Sequence, residues 1–252
     1  MNEQFTMFDY IRQPYKVDKP IRLIELFAGY GSQAMALKRL GADFEHYRVV
    51  EFDKYAIDSY NAIHDTSFPT INVCEVHGVD LANLDENYTT IMVYSFPCTD
   101  ISNAGQRRGM AENSSTRSSL LWEVKRILLE LKDLNALPNI LLMENVSAIH
   151  NDVNMPHFRV WLDFLDSMGY STYVEDLNSC DFGVAQHRER TFALSILGDY
   201  NYKFPQPIDL RYCIENYFED MDYDTALQQI VKSEKAQDLL KKLDKEGKLE
   251  EC

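Results

Sequence analysis

The stretch Ile21–Ser32, IRLIELFAGYGS, predicts the fold of this 252-residue chain. Its first half, Ile21–Leu26, is a short apolar run typical of a buried strand, and a glycine-containing loop follows it. A helix is predicted over Gln33–Leu40, and Gly41 ends it. Glycines between a strand and a helix let the backbone turn tightly and let a ligand approach the helix N-terminus. An ordinary tight turn is the alternative interpretation at this point.

Strands and helices continue to alternate after this stretch. Apolar runs and helical periodicity predict the strands Tyr47–Glu51, Ile91–Ser95 and Ile140–Met143, and the helices Lys54–Ile63, Ser119–Leu134 and Phe158–Met168. Tyr170–Leu177 and Thr191–Ile196 alternate in polarity, which indicates an antiparallel pair. This order predicts an α/β fold with a mostly parallel, doubly wound sheet and an antiparallel edge hairpin.

The pattern changes at both ends of the alternating region. Residues 1–20 lack periodicity and are interpreted as a lead-in, whereas residues 21–198 form the predicted main domain. Residues 199–252 are an extension that ends in an amphipathic helix predicted over Ala226–Lys245. No segment approaches the roughly 20 apolar residues that cross a bilayer, and the N-terminus lacks a signal-peptide pattern. We therefore expect a cytoplasmic protein without a membrane anchor.

The cysteine spacing and the net charge restrict the function further. None of the five cysteines forms a CxxC pair, so we expect neither a metal site nor a disulfide framework. A free cysteine in a reducing compartment can remain a nucleophile. The net charge of −15 repels nucleic-acid phosphates unless basic side chains cluster or a partner supplies them. Acidity that only aids solubility is the alternative interpretation.

Several polar residues fall at the ends of predicted strands, where α/β proteins place their sites. Glu51 ends the strand after the glycine loop, where a carboxylate can accept hydrogen bonds from ribose hydroxyls. Cys98 follows the strand Ile91–Ser95 behind Pro97, and Glu144 follows the next strand in the motif MENV. A nucleophile beside a carboxylic acid suits covalent addition to a ring that is protonated as it is attacked. A buried structural cysteine and an exposed glutamate are the alternatives.

Two further motifs are less specific by themselves. Asp80, in HGVDLANL, is interpreted as the end of a third strand beside a nucleoside base, with a helix-capping role as the alternative. In QHRER, Arg188 and Arg190 alternate with Glu189, so both arginines point to one face of a strand. Such a pair can bind a phosphate and a base carbonyl, or it can belong to a surface salt-bridge cluster.

The order of these motifs resembles the cytosine-C5 DNA methyltransferase family over Arg22–Leu197. The resemblance implies a Rossmann-like methyltransferase fold and methyl transfer from S-adenosylmethionine to C5 of cytosine in double-stranded DNA, with S-adenosylhomocysteine as product. It implies that Cys98 attacks C6 of a flipped-out cytosine and that Glu144 holds and protonates N3. Arg190 would contact the cytosine O2, and Arg188 would contact the adjacent phosphate or Glu144.

The resemblance also implies a cofactor pocket along the strand ends. Phe27 and Phe52 would flank the adenine, while Glu51 would bind the ribose hydroxyls and Asp80 the adenine amino group. The other residues implied at the cofactor are Ala28, Gly29, Gly31, Leu81, Pro97 and Leu120, and those implied at the substrate are Ser102, Asn145 and Val146.

The chain departs from the family pattern mainly near its C-terminus. After Phe204–Phe218, no segment resembles the family's target-recognition domain or its closing C-terminal motifs. We therefore expect a second polypeptide to supply them, as in split members of the family, in a bacterial or phage-encoded protein. Smaller departures include Ser95 and Ser118, where the family usually has glycine. A tRNA cytosine-C5 methyltransferase and a non-catalytic acidic interaction or decoy protein remain the alternatives.

Overall fold

A six-stranded sheet forms the centre of the fold in this computed structural model, which describes residues 12–101, 109–112, 116–208 and 233–246. The strands are β1 (Gln13–Pro14), β2 (Ile21–Leu26), β3 (Phe44–Val50), β4 (Thr89–Tyr94), β5 (Ile140–Asn145), β6 (Tyr170–Asn178), β7 (Glu189–Leu197) and β8 (Tyr200–Asn201). The helices are α1 (Ser32–Arg39), α2 (Lys54–His64), α3 (Gly78–Leu81), α4 (Leu121–Asp133), α5 (Met155–Ser167) and α6 (Glu234–Lys245).

The strand order of the sheet is β3-β2-β4-β5-β7-β6. Strands β2 to β5 run parallel, and β7 runs antiparallel to both of its neighbours, β5 and β6. This arrangement confirms the predicted fold class, a mostly parallel sheet with an antiparallel edge hairpin. It also brings the carboxyl ends of β2, β3, β4 and β5 to one edge, where a site is expected.

The predicted third strand ending at Asp80 is wrong, because this residue lies in the short helix α3. One carboxylate oxygen of Asp80 accepts a hydrogen bond from the His77 backbone N–H at 2.9 Å, which satisfies a donor at the helix start. Gly78 packs tightly against α4, since a Cβ atom there would lie 2.7 Å from Glu130 Cβ. Helix capping and close packing therefore favour a helix in this segment. The next strand of the sheet after α2 is β4.

Helices cover the two faces of the sheet unequally. On one face, α4 and α5 pack against alternate apolar residues of the strands. This layer includes Leu26, Met92, Tyr94, Leu141 and Met143 of the strands and Leu121, Val124, Leu128 and Trp161 of the helices. On the other face, α1 packs on Leu23 and Val93, and α2 packs on Val49. On that second face, Leu142 and Phe192 of β5 and β7 stay only half-buried. This partly covered area adjoins the carboxyl edge of the sheet.

The segments outside the sheet contain three further elements. Strand β1 pairs in parallel with β8, so the predicted lead-in is partly ordered by the segment after Gly198. The chain divides into two compact units, residues 1–210 and residues 211–252, and in the second unit the structure describes α6. The division into residues 1–20, 21–198 and 199–252 that the sequence predicts remains a proposal. In the described ranges, no helix is both long and apolar enough to cross a membrane.

Candidate active site

The loop between β2 and α1 has an unusual backbone that Glu51 and α2 hold in place. Phe27, Gly29 and Gly31 all have positive φ angles, of 57°, 56° and 83°. A Cβ atom at Gly31 would lie only 2.3 Å from His64 Nε2, so only glycine fits above α2. Glu51 follows β3, and its Oε2 accepts a hydrogen bond from the Gly29 N–H at 2.9 Å. Glu51 therefore shapes the glycine loop directly.

The second oxygen of Glu51 is also used within the protein. Its Oε1 accepts a hydrogen bond from the Asp53 N–H at 2.8 Å. Because each carboxylate oxygen has two acceptor positions, Glu51 retains capacity for ribose hydroxyls after these contacts. The structure thus adds a loop-shaping role to the predicted binding role.

A cavity of about 580 Å³ opens beside the glycine loop on the partly covered face of the sheet. Its lining includes Phe27, Ala28, Gly29 and Tyr30 from the loop, together with Glu144 and Arg188 from the other side. Glu25 and Ser95 line it as well, and Glu25 Oε1 and Ser95 Oγ are buried without a hydrogen-bond partner among the described residues. Since buried polar atoms are normally hydrogen-bonded, water or a polar ligand group in the cavity would satisfy these two atoms.

The Cys98 loop follows β4 and lies next to the end of β5. Cys98 is half-buried and has a free thiol. The Asn145 side chain is buried, and its Nδ2 donates to the Phe96 carbonyl at 3.0 Å while its Oδ1 accepts from the Val146 N–H at 2.9 Å. Asn145 therefore joins the two strand ends that carry Cys98 and Glu144. This contact gives Asn145 a positioning role at the place where the resemblance implied a substrate contact.

Glu144 forms an ion pair with Arg190, with 3.1 Å between Oε1 and Nε. The β5–β7 register pairs Glu144 with Phe192, and Arg190 is two residues away along β7 on the same face. The resemblance offered Arg188 as a partner for Glu144, but Arg188 precedes β7 and is an exposed residue at the cavity wall. The register between β5 and β7 thus selects Arg190 as the partner.

The remaining predicted cofactor residues are distributed over a wider area. Asp80 and Leu81 line a separate cavity of about 510 Å³ beside Val49 and Val50 of β3. Phe52 is exposed at the end of β3. Leu120 and Pro97 are half-buried, Leu120 at the start of α4 and Pro97 in the Cys98 loop. Ser102, a predicted substrate residue, lies outside the described residues.

Sequence reasoning missed three buried polar residues of this region, Glu25, Asp100 and Ser118. Glu25 is 1% exposed, and its Oε2 accepts a hydrogen bond of 2.5 Å from the hydroxyl of Tyr60. A carboxylate inside the apolar run IRLIEL was a signal for Glu25, because such a residue needs a special environment. Asp100 and Ser118 gave no such signal, since they meet only through the folded position of the turn before α4.

Burial raises the pKa of Glu25 to about 7, although the hydrogen bond from Tyr60 opposes the shift. The folded protein therefore keeps this proton up to about neutral pH, whereas the unfolded chain loses it near pH 4.5. We expect the Glu25 contribution to the free energy of unfolding to be greatest below pH 4.5 and to fall by up to about 3 kcal/mol as the pH rises to 7.

Urea unfolding of the wild type and of Glu25→Gln between pH 4.5 and 7.5 checks this prediction. Glutamine has nearly the same shape and does not titrate, so the stability of the variant should fall less over this range. The difference between the two curves isolates Glu25 from the other carboxylates. Parallel curves for the two proteins would contradict the prediction.

Comparison with known proteins identifies similar sequences. Residues 21–251 match the sequence profile described as C-5 cytosine-specific DNA methylase. The type II methyltransferase M2.ScrFI of Lactococcus lactis subsp. cremoris is 31% identical, with 79% of this chain and 68% of that protein covered. The orphan methyltransferase M.SssI of Spiroplasma monobiae is 30% identical, with 72% and 61% covered. The type II methyltransferase M.NlaX of Neisseria lactamica is 33% identical, with 74% and 56% covered.

Solved structures show the same fold. The Entamoeba histolytica methyltransferase EhMeth superposes with a TM-score of 0.66 at 17% identity, over 82% of this chain and 62% of that chain. A variant of Spodoptera frugiperda DNMT2 superposes with a TM-score of 0.60 at 20% identity, over 80% of this chain and 60% of that chain. The chain thus spans between 56% and 68% of the length of the three curated relatives named above.

Proposed function

Because the chain belongs to the family of C-5 cytosine-specific DNA methylases, we propose that it transfers a methyl group from S-adenosylmethionine to C5 of cytosine in double-stranded DNA. One observation carries this proposal. A single cavity is lined on one side by the loop Phe27–Tyr30 and on the other by Glu144 and Arg188. A methyl donor bound at the loop and a base held at Glu144 would therefore face each other in one space.

The polar groups at the cavity and at the end of β3 fit the chemistry of this cofactor. Glu51 has acceptor capacity for ribose hydroxyls at the end of β3. Glu25 Oε1 and Ser95 Oγ have no hydrogen-bond partner among the described residues, which leaves them available to polar groups of a bound ligand. When bound, S-adenosylmethionine supplies an electrophilic methyl group on its sulfonium. Asp80 and Leu81 line a separate cavity beside β3. We propose that the adenine contacts them only where this cavity meets the end of β3.

Three residues of this chain take separate roles in the proposed reaction. The Cys98 thiolate forms a bond to C6 of the cytosine, and Glu144 delivers a proton to N3, so that C5 becomes a nucleophilic, enamine-like carbon. Arg190 lies next to Glu144, where its guanidinium can donate to the cytosine O2. After C5 has accepted the methyl group, its proton passes to water, and the electrons of that C–H bond restore the C5–C6 double bond and expel the Cys98 sulfur as a thiolate. N3 returns its proton to the Glu144 carboxylate, which restores both residues. The base must leave the helix first, because these groups cannot reach it in the stack.

We further propose that a second polypeptide supplies target recognition. The net charge of −15 gives no general attraction to DNA phosphates, whereas a basic partner would provide it. The half-buried Leu142 and Phe192 line the cavity itself, and a segment of a partner can complete this apolar wall.

The proposed function is tested with the purified chain, labelled S-adenosylmethionine and mixed-sequence DNA. We expect little or no transfer by the chain alone and multiple turnovers when a basic protein encoded beside it is added, with activity that falls steeply as salt rises. Transfer RNA in a parallel assay separates DNA from RNA as substrate. Sequence-specific turnover by the chain alone would contradict the second polypeptide, and absence of transfer in every combination would contradict the methyltransferase proposal.

A further inference from the structure

Two buried polar side chains lie behind the Cys98 loop, and the reaction described above does not use them. Ser118 is 0% exposed and Asp100 is 6% exposed. Ser118 belongs to the single 3-10 turn Arg117–Leu120 that leads into α4. Burial of a hydroxyl or a carboxylate is costly unless the group is hydrogen-bonded, so the partners of these side chains indicate what they do.

The Ser118 side chain binds the backbone on either side of Cys98, and the Asp100 side chain binds the turn before α4. Ser118 Oγ donates to the Pro97 carbonyl at 2.8 Å, and the same oxygen accepts, at 3.4 Å, from the Asp100 N–H. Asp100 Oδ2 accepts from the Arg117 N–H at 2.8 Å, which ties the loop to the turn before α4. One hydroxyl thus holds the residue before Cys98 and the residue two positions after it. We call this pair of side chains the Asp100–Ser118 brace.

The brace is one of several contacts that fix this loop. The Cys98 carbonyl accepts from the Ile101 N–H at 3.1 Å, and the Asp100 carbonyl accepts from the Gly109 N–H at 3.0 Å. Asn145 holds the Phe96 carbonyl from β5. The brace differs from these contacts because it fixes the backbone on both sides of the thiol from a single buried side-chain atom.

We propose that Asp100 and Ser118 are positioning residues that hold the Cys98 thiol in the orientation needed for attack on C6. The proposal rests on the proposed function for the identity of the reaction, but not for the existence of the brace. Reacting atoms must be held close to their attack geometry, and a displacement of about 1 Å can cost about 100-fold in rate. Loss of the Ser118 hydroxyl leaves the Pro97 carbonyl and the Asp100 N–H without this partner in a buried place. The loop then relaxes toward solvent, which exposes the thiol and misaligns it.

The test compares the reactivity of two cysteines in the same protein. The chain is treated with iodoacetamide, and mass spectrometry gives the alkylation rate of Cys98 relative to Cys180, which is also half-buried. We expect Ser118→Ala to raise this ratio at least about threefold, because only the Cys98 loop loses a contact. In the methyl-transfer assay, kcat should fall about 10- to 100-fold while the KM for S-adenosylmethionine stays within about twofold.

Matched variants separate positioning from a general loss of stability. Ser171→Ala removes a serine hydrogen bond of 2.8 Å to the Gly198 carbonyl, at the opposite edge of the sheet, and should leave the alkylation ratio unchanged. Asp100→Ala should raise the ratio, whereas Asp100→Asn retains an oxygen that can accept from Arg117 N–H and should restore it toward the wild-type value. If Ser118→Ala does not fold, the comparison of Asp100→Ala with Asp100→Asn provides the test.

The alkylation result is independent of DNA and cofactor. A ratio that rises in Ser118→Ala and Asp100→Ala supports the brace, even if the wild-type protein transfers no methyl group and the proposed function fails. An unchanged ratio in these variants overturns the brace, and so does an equal rise for Cys98 and Cys180, which would show general loosening. In an active preparation, an unchanged kcat would also overturn it.

Discussion

Replacement of Cys98 by serine is expected to abolish methyl transfer and covalent capture of DNA that contains 5-fluorocytosine. Fluorine at C5 prevents the final loss of the proton, so the bond between the cysteine sulfur and C6 persists in the wild type. A serine hydroxyl at this place is a far weaker nucleophile at neutral pH, because no neighbouring base is assigned to activate it. We expect turnover to fall by at least about 1,000-fold, as for the loss of nucleophiles in other enzymes.

The measurement is a denaturing gel of the active preparation after incubation with S-adenosylmethionine and the fluorinated duplex. The wild type should give a band of increased mass, and Cys98→Ser should not. Cys180→Ser serves as the matched control, because Cys180 is likewise half-buried and free but follows β6, outside the proposed mechanism. A captured complex that survives in Cys98→Ser would move the nucleophile to another residue.

Replacement of Glu144 by glutamine is expected to slow the methylation step about 100- to 10,000-fold, the range of general acid catalysis. Glutamine keeps the size of the side chain and can donate a hydrogen bond to N3, but it cannot deliver a proton there. The ion pair with Arg190 is lost as well, which frees a guanidinium beside the base. The affinity for DNA should therefore change much less than the rate.

Single-turnover kinetics with labelled S-adenosylmethionine separate these two effects, because they report the chemical step apart from product release. Glu175→Gln is a suitable control, since Glu175 is an exposed residue of β6 outside the proposed mechanism. A rate for Glu144→Gln within about twofold of the wild type would exclude Glu144 from the proton transfer. An equal loss for Glu175→Gln would assign the effect to general loss of acidic charge.

The fold was predictable because local patterns determine most of it. Strand β2 was predicted with the bounds that the structure shows, since an apolar run followed by a glycine loop is a local signal. The approach of Cys98 and Glu144 to one edge also followed from strand order alone, because parallel strands share their carboxyl ends. The strand predicted to end at Asp80 was wrong, because a hydrogen bond at the start of α3 and close contact with α4 favour a helix there.

The finer geometry of the site depends on contacts between distant parts of the sequence. The partner of Glu144 is set by the register between β5 and β7, which no local pattern specifies. The contact of Glu25 with Tyr60 and that of Ser118 with Pro97 join residues that are 35 and 21 positions apart. Sequence periodicity reports which face of an element is apolar, but it does not report which buried polar groups meet.

The glycine loop is pre-organised because its Gly29 N–H donates to Glu51, whose other oxygen accepts from the Asp53 N–H at the start of α2. The Gly29 and Asp53 N–H groups are already bound to the carboxylate, so the chain loses the conformational entropy of this loop when it folds. A ligand then meets a loop of fixed shape, and more of its interaction energy remains as affinity. In the proposed function, Glu51 would therefore contribute to affinity in two ways, through its own contact with a ribose and through the shape of the loop that receives the rest of the ligand.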